Sequence, residues 1–459
     1  MRLRNNIGII TIILAFICAN AIFLNSYKDV WWDSSVYIGM GKYMYSVGQS
    51  GLWENSRPIV WPLILGFLWK IGLNVILIGR FIEILFGGLC ILFTYKIGRK
   101  LFNERTAFLS SLFLALSPTF FFFDGIMLTE IVSTFFSLVA IYLFIEKKYT
   151  TSGLLLGMSF LTRFLQLFAF IGVLLVVLLH SNKKNMTNLK KILMGFVIPV
   201  IPYLILNFIL YNGAFLPPLQ QIFLSNNSGW SNYHSTSYYF IELFKENFLY
   251  LSSILGLMLI SKKDPNKTLI ATIFLVFFIF FNLIRQKEMR FLIVLLPYMY
   301  LLMSFSLLYF LNYLKNKTAK SLFIALIIVS FVFSFKMTYI YHKNELNKNN
   351  PYAAFQGKLK EISPNSRIWV SNPMITVFSD IKADKLMYYP VFNKDKKDEL
   401  VKDFKSADFI FVDSCDLACK PFDVKCESDK NDLLAFFKQQ LITTYSSIVN
   451  ECQQYIFQK

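Results

Sequence analysis

Apolar residues in this chain are gathered in long blocks rather than in alternating stripes. A block of about 18 or more apolar residues can cross a hydrocarbon layer of about 30 Å as a helix, which satisfies its own backbone hydrogen bonds there. The pattern therefore predicts about eleven membrane-spanning helices. They are expected at approximately 6–25, 76–95, 106–120, 127–145, 151–163, 165–180, 191–211, 247–260, 268–284, 291–312 and 321–338.

Two other segments have different patterns. The segment 59–72 is apolar but too short to span, so it is expected to lie in the membrane interface. Residues 339–459 combine the strand-like runs "RIWVSNP" and "ADFIFVDS" with the helical run "NDLLAFFKQQL", which predicts a small α/β domain. The predicted organisation is a membrane domain over 1–338, with a first outer loop at 26–75, followed by a C-terminal domain over 339–459.

Composition and charge agree with a multi-pass α-helical membrane protein. The chain is 55% hydrophobic and only 16% charged, and its net charge of +18 is spread over short loops such as "NKKNMTNLKK" and "SKKDPNK". These loops fall on one side of the predicted topology, which identifies the cytoplasmic side. The N-terminus is therefore expected in the cytoplasm and the C-terminal domain outside the cell membrane. No basic patch with interleaved aromatic residues points to nucleic acid.

The cysteines are consistent with this orientation. Four of them, Cys415, Cys419, Cys426 and Cys452, lie in the predicted outer domain, an even number in an oxidising compartment. Two disulfides are expected, with three connectivities open. A zinc site is the alternative, although no histidine accompanies these cysteines and their spacing is not a paired CxxC.

The first outer loop carries a candidate catalytic carboxylate in "KDVWWDSSVYIGMGKYMYSVGQSGLWENSRPIVWPL". From Val36 onward the apolar spacing predicts an amphipathic helix along the membrane surface. Asp33 stands just before this helix, where an aspartate is also a good N-cap. The sequence alone leaves both roles of Asp33 open, that of a catalytic carboxylate and that of a helix N-cap.

A second acidic site occurs at the outer end of the predicted fourth span, in "FFFFDGIMLTEIV". Carboxylates at this depth are costly and usually functional. Glu130 is the deeper of the two, whereas Asp124 is expected to face water. Arg80 and Glu83, one helical turn apart in the second span, are expected to pair with each other.

Basic residues gather on the same outer side, against the positive-inside tendency: Arg57, Arg163, Arg285, Lys287 and Arg290. A guanidinium suits a phosphate because it binds two oxygens with a planar fork. The group therefore points to an anionic ligand at the outer leaflet. For each residue alone, a snorkelling or interfacial position is the alternative.

Four motifs together, "WWDSSVYIGMGKYMYSVGQSGLWENSRPIVWPLILGFLWKIG", "SPTFFFFDGIMLTEI", "LTRF" and "KEMRFLIVLLPY", resemble the GT-C glycosyltransferases. The nearest branch is that of dolichyl-phosphate-mannose protein mannosyltransferases and aminoarabinose transferases, particularly their archaeal relatives. The resemblance covers about Met1 to Asn312.

The resemblance implies transfer of a sugar from a polyprenyl-phosphate carrier to an acceptor hydroxyl of a protein, glycan or lipid on the outer face. The family's catalytic Asp falls on Asp33, its second acidic site on Glu130, and its basic-Pro pair on Arg57-Pro58. Where the family usually has a following acidic residue, this chain has Ser34. Asp33 is expected as the base, with inversion at the anomeric carbon. One carboxylate suffices, because a polyprenyl phosphate is a good leaving group once its charge is neutralised and needs no general acid. Arg57, Arg163, Arg290 and Lys287 are the candidate donor-phosphate ligands.

Three further questions stay open from the sequence. A divalent cation shared by Asp33 and Glu130 is one alternative to a metal-free site, although two carboxylates are a thin ligand set. His234, in an outer loop, is a weak metal-ligand candidate.

A transporter or flippase of a lipid-linked substrate is the main rival function, although transporters tend to show internal repeats that are not evident here. A membrane adaptor is a third alternative, but it does not explain why acidic and basic residues gather at one depth.

Overall fold

Helices dominate the fold of this protein in a computed structural model, which describes residues 2–24, 30–180, 183–211, 217–221, 232–261, 264–346, 350–387, 392–420 and 422–459. In chain order the helices are α1 (Arg2–Phe23), α2 (Trp32–Tyr45), α3 (Val60–Lys70), α4 (Val75–Leu101), α5 (Glu104–Ala115), α6 (Pro118–Phe123), α7 (Thr129–Ile145), α8 (Tyr149–Thr162), α9 (Leu167–Leu179), α10 (Lys183–Leu210), α11 (Tyr238–Glu246), α12 (Ser252–Leu259), α13 (Pro265–Leu283), α14 (Leu296–Tyr313), α15 (Lys317–Leu346), α16 (Ala353–Leu359), α17 (Lys394–Asp403) and α18 (Val424–Gln440). The strands are β1 (Ile368–Val370), β2 (Ala383–Leu386), β3 (Phe409–Asp413), β4 (Ile442–Val449) and β5 (Cys452–Gln458).

Contacts divide the chain into two units. The helical unit comprises Met1–Tyr27, Arg80–Leu216 and Asn232–Asn347. The sheet-containing unit comprises Lys28–Gly79, Pro217–Ser231 and Lys348–Lys459, so the first outer loop groups with the C-terminal residues.

Every predicted span coincides with helix in the structure, as does the short segment 59–72. Among the described residues, four helices are long and apolar enough to cross a membrane: Val75–Leu101, Met186–Leu210, Pro265–Leu283 and Lys317–Glu345. Shorter apolar helices, such as Thr129–Ile145, account for other predicted spans. The mostly helical, multi-helix membrane architecture is therefore confirmed, and the number of eleven spans stays a prediction.

Small residues allow a close helix contact between α8 and α10 in the helical unit. A side chain at Gly153 would lie 2.1 Å from the carbonyl oxygen of Ile192, and one at Gly195 would lie 2.0 Å from that of Thr150. Close backbone approach through small residues is how apolar helices gain packing where lipid removes the hydrophobic drive to associate. The glycines thus hold α8 in place, and Arg163 is the C-cap residue at the end of α8.

The C-terminal residues form a five-stranded sheet in the order β2-β1-β3-β5-β4. Strands β2, β1 and β3 are parallel, whereas β5 is antiparallel to both β3 and β4. The pleat sends alternate side chains to opposite faces. Trp369, Ile410 and Val412 face the core made with α17 and α18, while Ile368 and Val370 face the core on the other side.

Two disulfides fasten this domain. Cys415, after β3, is bonded to Cys452 at the start of β5, and Cys419 is bonded to Cys426 near the start of α18. This is one of the three open pairings. It also leaves no thiolate for zinc in the one described cluster with metal-ligand spacing, Asp413, Cys415 and Cys452.

Helix α2 differs from the predicted amphipathic surface helix. Residues Ser34 to Lys42 are all buried, and Val36, Met40 and Leu52 belong to the second core of the sheet. The remaining cover comes from α3, because Gly41 and Gly66 bring the two helices into backbone contact. The apolar pattern of α2 alone could not reveal a partner that lies more than 300 residues later in the chain.

Candidate active site

Asp33 lies inside α2 rather than before it. The helix begins at Trp32 with Trp31 as its N-cap residue, and Asp33 is the acidic residue of the first turn. A carboxylate there interacts favourably with the positive end of the helix dipole. The prediction that Asp33 is the N-cap is therefore wrong, because the N-cap lies two residues earlier in the chain. The Asp33 carboxylate is paired with a guanidinium.

Arg57 links two carboxylates of the first outer loop. Its Nη2 atom lies 2.8 Å from Oδ1 of Asp33, and its Nε lies 3.0 Å from Oε1 of Glu54. The guanidinium carbon also lies 5.9 Å from the centroid of the Tyr37 ring. These side chains are only 16–18% exposed, so the ion pairs are shielded from much of the solvent.

Electrostatics keep Arg57 charged in this position. Burial disfavours the cation, but Asp33 and Glu54 overcome that penalty and hold the pKa of Arg57 well above its usual range. A guanidinium has five N–H donors, and the two described ion pairs use only Nε and Nη2. The residue can therefore hold the Asp33 carboxylate and still present donors to an anion.

The second acidic site forms a separate cluster in the helical unit. Glu130 stands in the first turn of α7 and is 1% exposed. Its Oε1 atom lies 3.0 Å from Nη1 of Arg163 and 3.9 Å from Nε of Arg290. The structure thus brings together three of the predicted site residues from α7, the end of α8 and the segment before α14.

Neighbouring side chains hold the two arginines of this cluster. Arg163 Nη1 donates to Oγ1 of Thr129 at 3.1 Å, and Arg290 Nε lies 2.6 Å from Oε2 of Glu288. Both guanidinium carbons lie 5.5 Å from the centroid of the Phe291 ring. The arrangement fixes two cations beside one buried carboxylate, which can bind an anion or orient a polar substrate group.

Other candidates occupy less suitable positions. Lys287 is buried, and its Nζ donates to the carbonyl of Ile284, which does not favour phosphate binding. The ring of His234, an exposed residue, stacks on Tyr238 at 4.2 Å, and the backbone N–H of His234 donates to the carbonyl of Arg285. Asp124 was expected to face water, and this is wrong, because it is 2% exposed and lies against Gly87.

Glu83 holds the turn that leads into α7. Its carboxylate accepts the backbone N–H groups of Met127 and Leu128, the residues just before the helix. Met127 has a φ of 67°, a left-handed conformation that a methionine rarely adopts and that needs such support. The expected Arg80 pairing is replaced by this contact, while Arg80 donates to the carbonyl of Leu24. Glu83 therefore sets the position of the turn that precedes Glu130.

Sequence reasoning missed Glu54 and Glu288 as partners of Arg57 and Arg290, and it missed the contact of Glu83 with the turn before α7. Glu54 had a local signal, since it stands three residues before Arg57 in "WENSRP". Glu83 had none, because its partners lie more than 40 residues away in the chain.

The carboxylates do not fit a divalent cation as they stand. Asp33 has a guanidinium at 2.8 Å and Glu130 has one at 3.0 Å, so each already has a cationic partner. A metal ion would have to bind beside these positive charges, which repel it. No chemical step is therefore assigned to a metal.

Sequence comparison adds a partial family match. Residues 56–206 match the model of the dolichyl-phosphate-mannose-protein mannosyltransferase family. This segment includes Arg57, Glu130 and Arg163 but not Asp33 or Arg290. A search of curated proteins found no match.

Solved structures resemble nearly the whole chain. ArnT from Cupriavidus metallidurans, bound to undecaprenyl phosphate, has a TM-score of 0.69 at 12% identity, with 98% of this chain and 97% of that chain covered. The archaeal oligosaccharyltransferase AglB from Archaeoglobus fulgidus, in complex with an inhibitory peptide and a dolichol-phosphate, has a TM-score of 0.59 at 12% identity, covering 96% and 74%. The predicted resemblance is thus confirmed: the chain has the GT-C glycosyltransferase fold, and part of it matches the protein mannosyltransferase family.

Proposed function

We propose that this protein is a membrane glycosyltransferase that moves a sugar from a polyprenyl-phosphate carrier to an acceptor hydroxyl on the outer face of the cell membrane. The observation that carries the proposal is the Asp33–Arg57 ion pair of 2.8 Å, which joins a carboxylate base to a phosphate-binding group. ArnT and AglB, which share the fold, were solved with undecaprenyl phosphate and dolichol-phosphate respectively. Their ligands support a carrier of the same chemical class here.

The reaction we assign is a single displacement. Asp33 takes the proton of the acceptor hydroxyl, whose oxygen bonds to the anomeric carbon of the sugar. The bond from that carbon to the phosphate oxygen breaks, and its electron pair stays on the polyprenyl phosphate. One displacement inverts the anomeric centre and needs one base, unlike the two-carboxylate chemistry of glycoside hydrolases.

Arg57 has two roles in this scheme. Its contact to Oδ1 orients the Asp33 carboxylate, and its remaining N–H donors stabilise the charge that develops on the leaving phosphate. Glu54 keeps the guanidinium in position through Nε. The cluster of Glu130, Arg163 and Arg290 in the helical unit is a second candidate for substrate binding, with its two arginines suited to anionic oxygens and its buried carboxylate suited to a hydroxyl.

The helical unit offers an apolar surface on which a hydrocarbon chain can lie. A groove of about 440 Å³ in the helical unit is lined by Phe240, Phe278, Ile279 and Leu283, with polar groups from Thr236, Ser237 and Asn282. It lies on the unit that contains the two-arginine cluster. An isoprenoid chain suits such a lining because it makes van der Waals contacts with apolar side chains and requires no hydrogen bonds.

The outer location of the C-terminal domain can be tested with its cysteines. In a variant with Cys18 and Cys90 replaced by alanine, a membrane-impermeant maleimide should label intact cells only after reduction, because the four remaining cysteines are disulfide-bonded. A cysteine engineered at Asn226, which lies outside the described residues, should label without reduction. Mass spectrometry locates the label. Labelling of the C-terminal cysteines from the cytoplasmic side alone would contradict the orientation.

The proposed function is tested by the class of sugar donor that the protein uses. Membranes containing the protein would be supplied with radiolabelled sugars on polyprenyl phosphate or on nucleotides, in parallel with membranes lacking it. We expect protein-dependent loss of label from the lipid carrier and none from the nucleotide sugar. Transfer from the nucleotide sugar, or none from any carrier, would contradict the proposal.

A further inference from the structure

The C-terminal sheet is incomplete without the first outer loop. Ile368, Val370, Phe411 and Ile456 form one apolar face of this sheet, and Val36 and Met40 of α2 pack into the same core. A sheet with parallel strands needs cover on both faces, because both faces are apolar. Helix α2 therefore serves as one of the covering helices of the C-terminal domain.

A buried lysine fastens α2 to this domain. The Nζ atom of Lys42 donates to the carbonyls of Val377 and Ser379 at 2.9 and 2.7 Å, and it lies 3.3 Å from Oδ1 of Asp380. The lysine side chain is only 6% exposed. Burying an ammonium is costly unless its donors are satisfied, so this position depends on all three oxygens.

The loop after α2 also extends the edge of the sheet. Gly51 pairs with the chain beside Lys382, the backbone N–H of Ala383 donates to the Gly51 carbonyl at 2.8 Å, and the Ser50 hydroxyl donates to the Asp380 carbonyl at 2.7 Å. A side chain at Gly51 would lie 2.2 Å from the Gly39 carbonyl oxygen, so glycine is required there. These contacts cover the start of the edge strand β2 and hold the far end of the turn that follows α2.

The same helix carries Asp33 in its first turn and Lys42 in its last. We infer that the C-terminal domain is a positioning domain for the proposed catalytic base, and that Lys42 is the positioning residue through which it holds α2. The inference rests on the proposed function only for the identity of the base. A helix is stiff over this length, so a shift at Lys42 is transmitted to Asp33, and displacement of a reacting group by about 1 Å can cost on the order of a hundredfold in rate.

The test compares Lys42→Met with Lys42→Arg and a matched control. Methionine keeps most of the aliphatic stem and loses the ammonium, whereas arginine keeps a cation with donors. Lys385→Met removes another lysine of the same domain, whose ammonium pairs with Glu399 and Asp403 away from α2. For Lys42→Met we expect kcat to fall roughly tenfold to a hundredfold with the donor KM within about twofold, partial recovery in Lys42→Arg, and wild-type kinetics in Lys385→Met.

Hydrogen exchange provides a readout that does not depend on activity. Amides of residues 36–45 should exchange faster in Lys42→Met than in wild type, and at the wild-type rate in Lys385→Met. Unchanged kcat and unchanged exchange in Lys42→Met would overturn the inference, as would equal losses in both methionine variants. If the wild-type protein transfers no sugar, the proposed function fails, and the exchange result alone decides whether the C-terminal domain holds α2.

Discussion

Replacing Asp33 with Asn is expected to reduce sugar transfer by a factor of about a hundred to ten thousand, the range found for removal of a general base. The amide is nearly the same size and keeps its place in the first turn of α2, but it cannot accept the proton of the acceptor hydroxyl. Loss of the charge facing Arg57 and the helix dipole should lower stability by about 1 kcal/mol. Turnover of purified protein with saturating donor and acceptor is the measurement.

A surface pair provides the control for this substitution. Asp408 also faces an arginine, with Oδ1 at 3.1 Å from Nη2 of Arg367, but its side chain is 38% exposed and it stands just before β3. Asp408→Asn therefore removes a comparable ion pair without touching the proposed site. Its turnover should equal that of wild type. Near-normal turnover in Asp33→Asn would mean that Asp33 only stabilises α2, and the proposed mechanism would be wrong.

The second large effect is expected at Arg57. Arg57→Ala removes a charge-assisted contact that strengthens as charge develops on the phosphate, which costs about 2–4 kcal/mol of transition-state stabilisation, or roughly a hundredfold or more in rate. It also releases the Asp33 carboxylate from its 2.8 Å contact. Arg57→Lys should recover part of the rate, because an ammonium can pair with one partner but cannot span Asp33, Glu54 and the phosphate together.

The measurement for Arg57 is turnover combined with binding of the sugar-free polyprenyl phosphate. Wild type, Arg57→Lys and Arg57→Ala should decline in that order, and Arg367→Ala, which breaks the surface pair with Asp408, should match wild type. Equal turnover in all variants would show that Arg57 is only an interfacial residue. The phosphate would then be assigned to Arg163 and Arg290.

Local patterns in the sequence predicted the helices, the sheet and two of the site residues. Apolar blocks predicted the helices, because a helix in a membrane has to be apolar over most of its length. The strand-like runs in the C-terminal domain predicted its sheet, with "RIWVSNP" on β1 and "ADFIFVDS" on β3. The sequence also identified Asp33 and Arg57, which the structure joins in an ion pair.

Contacts between residues that are far apart in the sequence could not be predicted from local patterns. The position of α2 depends on residues 377–380, and that of the turn before α7 depends on Glu83 of another helix. Neither pairing leaves a periodic signal in one sequence, because each joins single residues from separate segments. The burial of Asp124 was missed for the same reason, since it depends on Gly87, which leaves room for a carboxylate against α4.

The fate of a doubly labelled donor tests the central claim most directly. A polyprenyl-phosphate sugar with tritium in the sugar and radioactive phosphorus in the phosphate would be given to the purified protein in liposomes with an acceptor extract. We predict that tritium leaves the lipid for the acceptor while the phosphorus stays on the lipid as polyprenyl phosphate, one phosphate for each sugar transferred. Movement of both labels together across the bilayer would contradict the account and identify the protein as a transporter of the intact lipid-linked sugar.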